Sequence, residues 1–126
     1  MNKLFTITTA LLLSIFMFTA CGAAKVYNVP KHKVTQQKSS ETVYKAIKSA
    51  GQSLGWQIHK IRPGLAEGKL YLRTHLAIVH IGYNRTSYSI RYIRSQNLNY
   101  NAKTQTIHTN YNGWIQNLEK AIDIRL

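Results

Sequence analysis

Residues 65–73 read Leu65-Ala66-Glu67-Gly68-Lys69-Leu70-Tyr71-Leu72-Arg73 and alternate with a period of two. Ala66, Gly68, Leu70 and Leu72 fall on one side of an extended chain, and Glu67, Lys69, Tyr71 and Arg73 on the other. A strand divided in this way has one face for a core and one for water. Upstream, residues 56–62 read as a strand closed by the turn pair Pro63-Gly64. Downstream, residues 75–83 are apolar on both faces, Ala77, Val79 and Ile81 against Leu76 and Ile78, as expected of a central strand. After the loop Asn84-Arg85-Thr86, residues 87–94 alternate again, with Tyr88, Ile90 and Tyr92 against Ser89, Arg91 and Ile93. Connections this short predict an antiparallel meander.

Helical signals flank the four strands. Ser39 or Ser40 can cap a helix whose first turn carries Glu41. Val43, Ala46, Ile47, Ala50 and Leu54 form one buried stripe, and Tyr44, Lys45, Lys48 and Gln52 fall outside it. Gly51 inside that helix costs about 1 kcal/mol relative to Ala, and Gly55 supplies the stop. A second helix is expected over residues 109–124, with Tyr111, Trp114, Ile115, Leu118, Ala121 and Ile122 as its stripe. The expected fold is therefore α+β: a two-layer sandwich in which an antiparallel four-stranded meander is flanked by an N-terminal and a C-terminal helix, both on one sheet face.

The first twenty residues carry a different signal. Lys3 precedes an apolar run from Leu4 to Phe18 that is too short and too rich in Thr for a membrane span of about 20 apolar residues. Phe18-Thr19-Ala20-Cys21-Gly22 resembles the lipobox of bacterial lipoproteins, with Phe18 where Leu is usual. The resemblance implies diacylglyceryl attachment to Cys21, cleavage before it, and palmitate among three acyl chains; Gly22 after the Cys implies sorting to the outer membrane, facing the periplasm. Acyl chains contribute roughly 0.8 kcal/mol per buried CH₂, so three would hold the protein permanently. The expected organisation is a signal peptide over residues 1–20, a lipidated Cys21 with a basic tether over 21–39, and a globular domain over 40–126. Removing 20 of the 126 residues leaves 106, and loss of Lys3 takes the formal charge from +13 to +12. As a coil, residues 22–39 would span roughly 23 Å.

Within the domain, Gly55-Trp56, Pro63-Gly64, Tyr88-Ser89-Ile90 with Tyr92, Ser95 and Asn97-Leu98, and Asn110-Tyr111-Asn112 with Trp114-Ile115 and Leu118 resemble a family of small Gram-negative envelope lipoproteins. The resemblance covers about Val43 to Ile122. It implies an α+β periplasmic domain on a lipid anchor and brings no catalytic residues with it.

Composition limits the chemistry. Seventeen Lys and Arg face four acids, Glu41, Glu67, Glu119 and Asp123, too few for a carboxylate-based metal cage. The single Cys excludes an internal disulfide. His32, His59, His75, His80 and His108 form no H-x-H or H-x-x-x-H pair, so no metal is expected. Neither a nucleophile elbow nor a phosphate-binding glycine loop occurs, and no enzyme activity or cofactor is expected. Asn97, Asn99, Asn101, Asn110 and Asn112 suit local turns and caps better than a glycan site.

The sheet face turned away from the helices is the candidate binding surface. It is expected to present His59, Lys69, Tyr71, Arg73, His80 and Arg91, with Gln57, around Leu76, Ile78 and Ile93. Such a face suits an anionic partner: lipid headgroups, lipopolysaccharide phosphates, peptidoglycan carboxylates, or an envelope protein. The expected function is a non-enzymatic lipoprotein held in the outer membrane and binding one of these. Two other classes follow from the same charge, a nucleic-acid-binding surface protein and an accessory subunit of an envelope enzyme; export argues against nucleic acid.

Overall fold

The computed structural model describes residues 22–126. The signal peptide expected over residues 1–20 and the lipidation expected at Cys21 lie outside the described residues. In chain order the elements are β1 (Ala23–Lys25), β2 (Val29–Lys33), α1 (Ser40–Ser53), β3 (Gln57–Arg62), β4 (Leu65–Leu72), β5 (His75–Tyr83), β6 (Ser87–Gln96), β7 (Thr106–His108) and α2 (Thr109–Ile124).

The architecture is α+β, and the two helices and the strands β3 to β6 form where the periodicity places them. The sheet has five strands rather than four. Its order is β2-β6-β5-β4-β3, all antiparallel, and β1 pairs with β7 in a separate two-stranded sheet. The segment expected to be a tether thus supplies two strands. Its pairing continues beyond β2, where the Val34 amide donates to the Thr86 carbonyl at 2.8 Å. Strand β2 reads Val29-Pro30-Lys31-His32-Lys33 and buries only Val29 fully, so it has no period-two apolar signal. Pro30 lacks an N–H and is tolerated because β2 is an edge and bulges there.

Both helices cover one sheet face. Ile58, Ala66, Leu70, Ala77, Val79, Ile81, Tyr83, Tyr88 and Ile90 meet Val43, Ile47, Ala50, Tyr111, Ile115, Leu118 and Ile122 in a single core. Ser39 caps α1, its Oγ accepting from the Thr42 amide at 3.1 Å. Tyr44, outside the expected stripe, is buried, stacking on Tyr83 at 5.7 Å beneath the Lys60 ammonium, 4.4 Å from its ring. Leu54, assigned to the stripe, becomes the cap residue after α1 and is 40% exposed.

A latch ties the N-terminal segment to α2. His32 stacks on Tyr88 with ring centres 4.9 Å apart. Its Nδ1 lies 3.3 Å from Glu119 Oε1 and its Nε2 3.0 Å from Asp123 Oδ1. The Tyr27 hydroxyl donates to Glu119 Oε2 at 2.8 Å, and that bond to a carboxylate, before burial and charge, raises its pKa. The Tyr88 hydroxyl donates to the Glu119 carbonyl at 3.1 Å; burial first, and then the two carboxylates, push it well above an ordinary phenol.

Two substitutions test this packing. A Cβ at Gly51 would stand 2.4 Å from Ile58 Cγ1, an atom near the root of its side chain. Gly51→Ala should therefore lower stability by about 1–3 kcal/mol despite the better helix propensity of Ala; a urea midpoint equal to or above wild type would refute the contact. His32→Ala removes one ring stack and two partly exposed polar contacts, a loss of about 1–2 kcal/mol. It should also raise amide exchange in residues 23–34 above that in β4 and β5, which hydrogen-exchange mass spectrometry would read.

Candidate functional site: the uncovered sheet face

Strand pleating sends every second side chain of β3 to β6 away from the helices. Register places them in transverse rows. Tyr71, Leu76 and Gln96 form the row nearest the turn after β4. Gln57, Lys69, Ile78 and Arg94 form the next, and His59, Glu67, His80 and Arg91 the one beyond. In that last row His59 Nε2 is 3.6 Å from one Glu67 oxygen and His80 Nε2 3.8 Å from the other. Glu67 is thus flanked by two imidazoles, and Arg91 extends the row on the far side of His80.

Of the six residues expected on this face, His59, Lys69, Tyr71, His80 and Arg91 lie there. Arg73 does not. Strand β4 ends at Leu72, and Arg73 adopts a left-handed φ of 55° in the turn that follows, exposed at the hairpin tip. Arg94 takes a place that alternation denied it. The ladder shifts between Ile78 and Val79, so that Ile78 faces Arg94 while Val79 faces Tyr92, and Ile93 is the extra residue. The signal was present in the sequence: continued alternation would have sent an Arg into the core behind Tyr92.

The apolar patch is smaller than expected. Leu76 and Ile78 are 6% and 2% exposed although no helix covers them. Their row neighbours Lys69, Tyr71, Arg94 and Gln96 are long enough to lay stems across them. Tyr71 at 60% and Ile93 at 38% remain the exposed apolar groups. Among the described residues, Lys69, Arg91 and Arg94 make no ion pair. Glu67, the one acid on the face, lies between His59 and His80; the other three are engaged elsewhere, Glu41 with Lys60 at 2.8 Å, a bond that lowers the Glu41 pKa and raises that of Lys60, and Glu119 and Asp123 with His32.

Relief comes from the β2 bulge. Pro30 and Lys31 lie between the Val29–Ile90 and His32–Tyr88 pairs, opposite Ser89. On either side opens a shallow recess of about 350–360 Å³, one reaching Arg91 and the other Lys31, Gly82 and Asn84. Gly82 and Ser89 keep the floor low; a Cβ on Gly82 would come within 2.9 Å of the Ser89 hydroxyl. Lys31 was assigned to the tether and its nearness to this face was not legible.

The remaining candidates have structural roles. His75 and His80 point to opposite faces; His75 Nδ1 lies 2.7 Å from the Asn97 carbonyl and its ring 6.1 Å from that of Trp114. His108 caps α2 through Nδ1. Among the described residues no cluster of three His, Cys, Asp or Glu side chains could hold a metal ion. Asn97 and Asn99 adopt left-handed φ, and the Asn101 side chain accepts from the amides of Lys103 and Thr104. Tyr111 is fully buried and Trp114 packs against the core. Among the described residues no helix is long and apolar enough to cross a membrane. Comparison of the chain with protein-family models, with curated proteins and with solved structures finds no match.

Proposed function

We propose that the chain is a non-enzymatic lipoprotein, anchored through Cys21 in the outer membrane and facing the periplasm, that binds an anionic component of the envelope with the uncovered sheet face. The observation that carries this reading is the set of three cations, Lys69, Arg91 and Arg94, on that face without carboxylate partners. A charge of +12 on the mature chain (+13 less Lys3), with only four acids, attracts any polyanion at long range. The unpaired Arg groups add a local fit, because a guanidinium presents two parallel N–H donors to a phosphate or carboxylate. The lipobox-like stretch supports the anchor and the resemblance to envelope lipoproteins supports the compartment.

The test is co-sedimentation of residues 22–126 with purified lipopolysaccharide and, in a separate arm, with peptidoglycan sacculi. Reversing Lys69, Arg91 and Arg94 to Glu should weaken binding by about tenfold or more at physiological salt. The arm that shows the loss distinguishes phosphate from carboxylate recognition. Equal sedimentation of wild type and the triple variant in both arms removes the sheet face as the binding surface.

A further inference from the structure

The N-terminal segment reaches the lipid-attachment position with no slack. Gly22 is followed directly by β1, whose Ala23 pairs with His108, the cap of α2. Cys21 is two residues before Ala23, a reach of at most about 7 Å for extended chain. Whatever holds Cys21 therefore lies against the end of the domain where β1 begins.

Hydrogen bonds define that end. The His108 amide donates to the Leu98 carbonyl at 2.8 Å, and the adjoining Asn97 binds the turn after β4 through Thr74 and His75. Start of β1, start of α2 and the 73–74 turn thus share one end of the sheet. Its exposed groups include Tyr71, Leu72 at 43%, Arg73 and Lys25, which lies two residues beyond Ala23. Among the described residues no Asp or Glu side chain is placed there. Glu67 sits two rows up, Glu41 bonds Lys60 beyond Glu67, and Glu119 and Asp123 bond His32 beside Tyr88, next to the β5–β6 turn at the opposite end.

We infer that this end, with Leu72 and Arg73 at its tip, rests on the anionic phospholipid surface of the membrane that holds the anchor, leaving the sheet standing on it and the Arg91 row away from the headgroups. The inference rests on the lipoprotein reading and adds a fixed orientation to it. An aromatic and an aliphatic side chain beside unopposed cations is the composition that suits the bilayer interface.

The experiment uses the full chain, produced in a Gram-negative bacterium, purified in detergent and reconstituted into phosphatidylethanolamine–phosphatidylglycerol vesicles containing a nitroxide at headgroup depth. The chain has one Cys, which acylation blocks, so a single introduced thiol takes a fluorophore uniquely. Leu72→Cys and Asn110→Cys report on the anchor end; Thr35→Cys, beside the Val34–Thr86 bond, reports on the far end. Quenching at the first two should exceed that at the third by about threefold or more. Arg73→Glu should reduce it at Asn110→Cys in these vesicles and leave it unchanged in phosphatidylcholine. Intact mass of the same protein reads acylation separately. An acylated Cys21 with equal quenching at both ends overturns the orientation alone; an unmodified Cys21 overturns the anchor and the orientation together.

Discussion

A five-stranded sheet with helices on one side is the constraint from which the other features follow. Pleating gives each strand two faces, and α1 and α2 both lie on the same one. The second face has to manage without a covering layer. On β5, the central strand, Leu76 and Ile78 point there and are still almost fully buried. The long side chains in the same rows on the flanking strands have the reach to do this, since the stems of Lys, Arg and Gln are apolar while their heads stay in water. The cationic character of the surface is thus partly a means of covering a sheet with too few helices. Burial of Ile78 explains why those positions want long side chains; it does not explain why they carry one sign of charge.

The acids answer that second question. With only four carboxylates in the chain, their placement decides where charge is neutralised. Glu119 and Asp123 hold His32, Glu41 holds Lys60, and Glu67 lies between His59 and His80. Three of the four therefore serve the packing of β2 and α1 onto the domain, and the fourth sits within the histidine row. Positive charge elsewhere is left without compensation. Self-repulsion of this kind costs stability, and of the sixteen Lys and Arg among the described residues Lys69, Arg91 and Arg94 share the uncovered face.

Sequence periodicity made the helices and strands β4 to β6 legible because each buries several residues at a regular spacing; β3, which buries only Ile58, was legible from the Pro63-Gly64 turn that closes it. It failed where burial involves one residue at a time. Strand β2 hides Val29 and little else, β1 and β7 are three residues long, and all three are held by partners far away in the chain. Charge and Pro30 made the segment resemble a linker, and those same features keep an edge strand from recruiting another chain. The candidate face was read correctly at His59, Lys69, Tyr71, His80 and Arg91 because they sit within regular ladder. Arg73 was misplaced by a turn that begins one residue early, and Arg94 by a bulge at Ile93; both depend on backbone geometry that period-two counting does not register. Tyr44 escaped the helical stripe because its burial comes from stacking on Tyr83 of β5.

Folding of residues 23–33 into the domain changes what an N-terminal anchor would mean. A flexible leader of eighteen residues would let the domain sample many orientations and decouple its surface from the bilayer. With β1 and β2 paired and His32 latched to α2, residues 23–33 lose that freedom and the start of β1 is fixed relative to the sheet by hydrogen bonds. On the function proposed above, the latch bears on the binding face, because the strand that His32 ties to α2 carries the bulge beside which the recesses near Arg91 and Lys31 open. The stability of one edge strand and the relief of the cationic face are in this way coupled, and on the proposed lipoprotein reading the orientation of the domain is coupled to both.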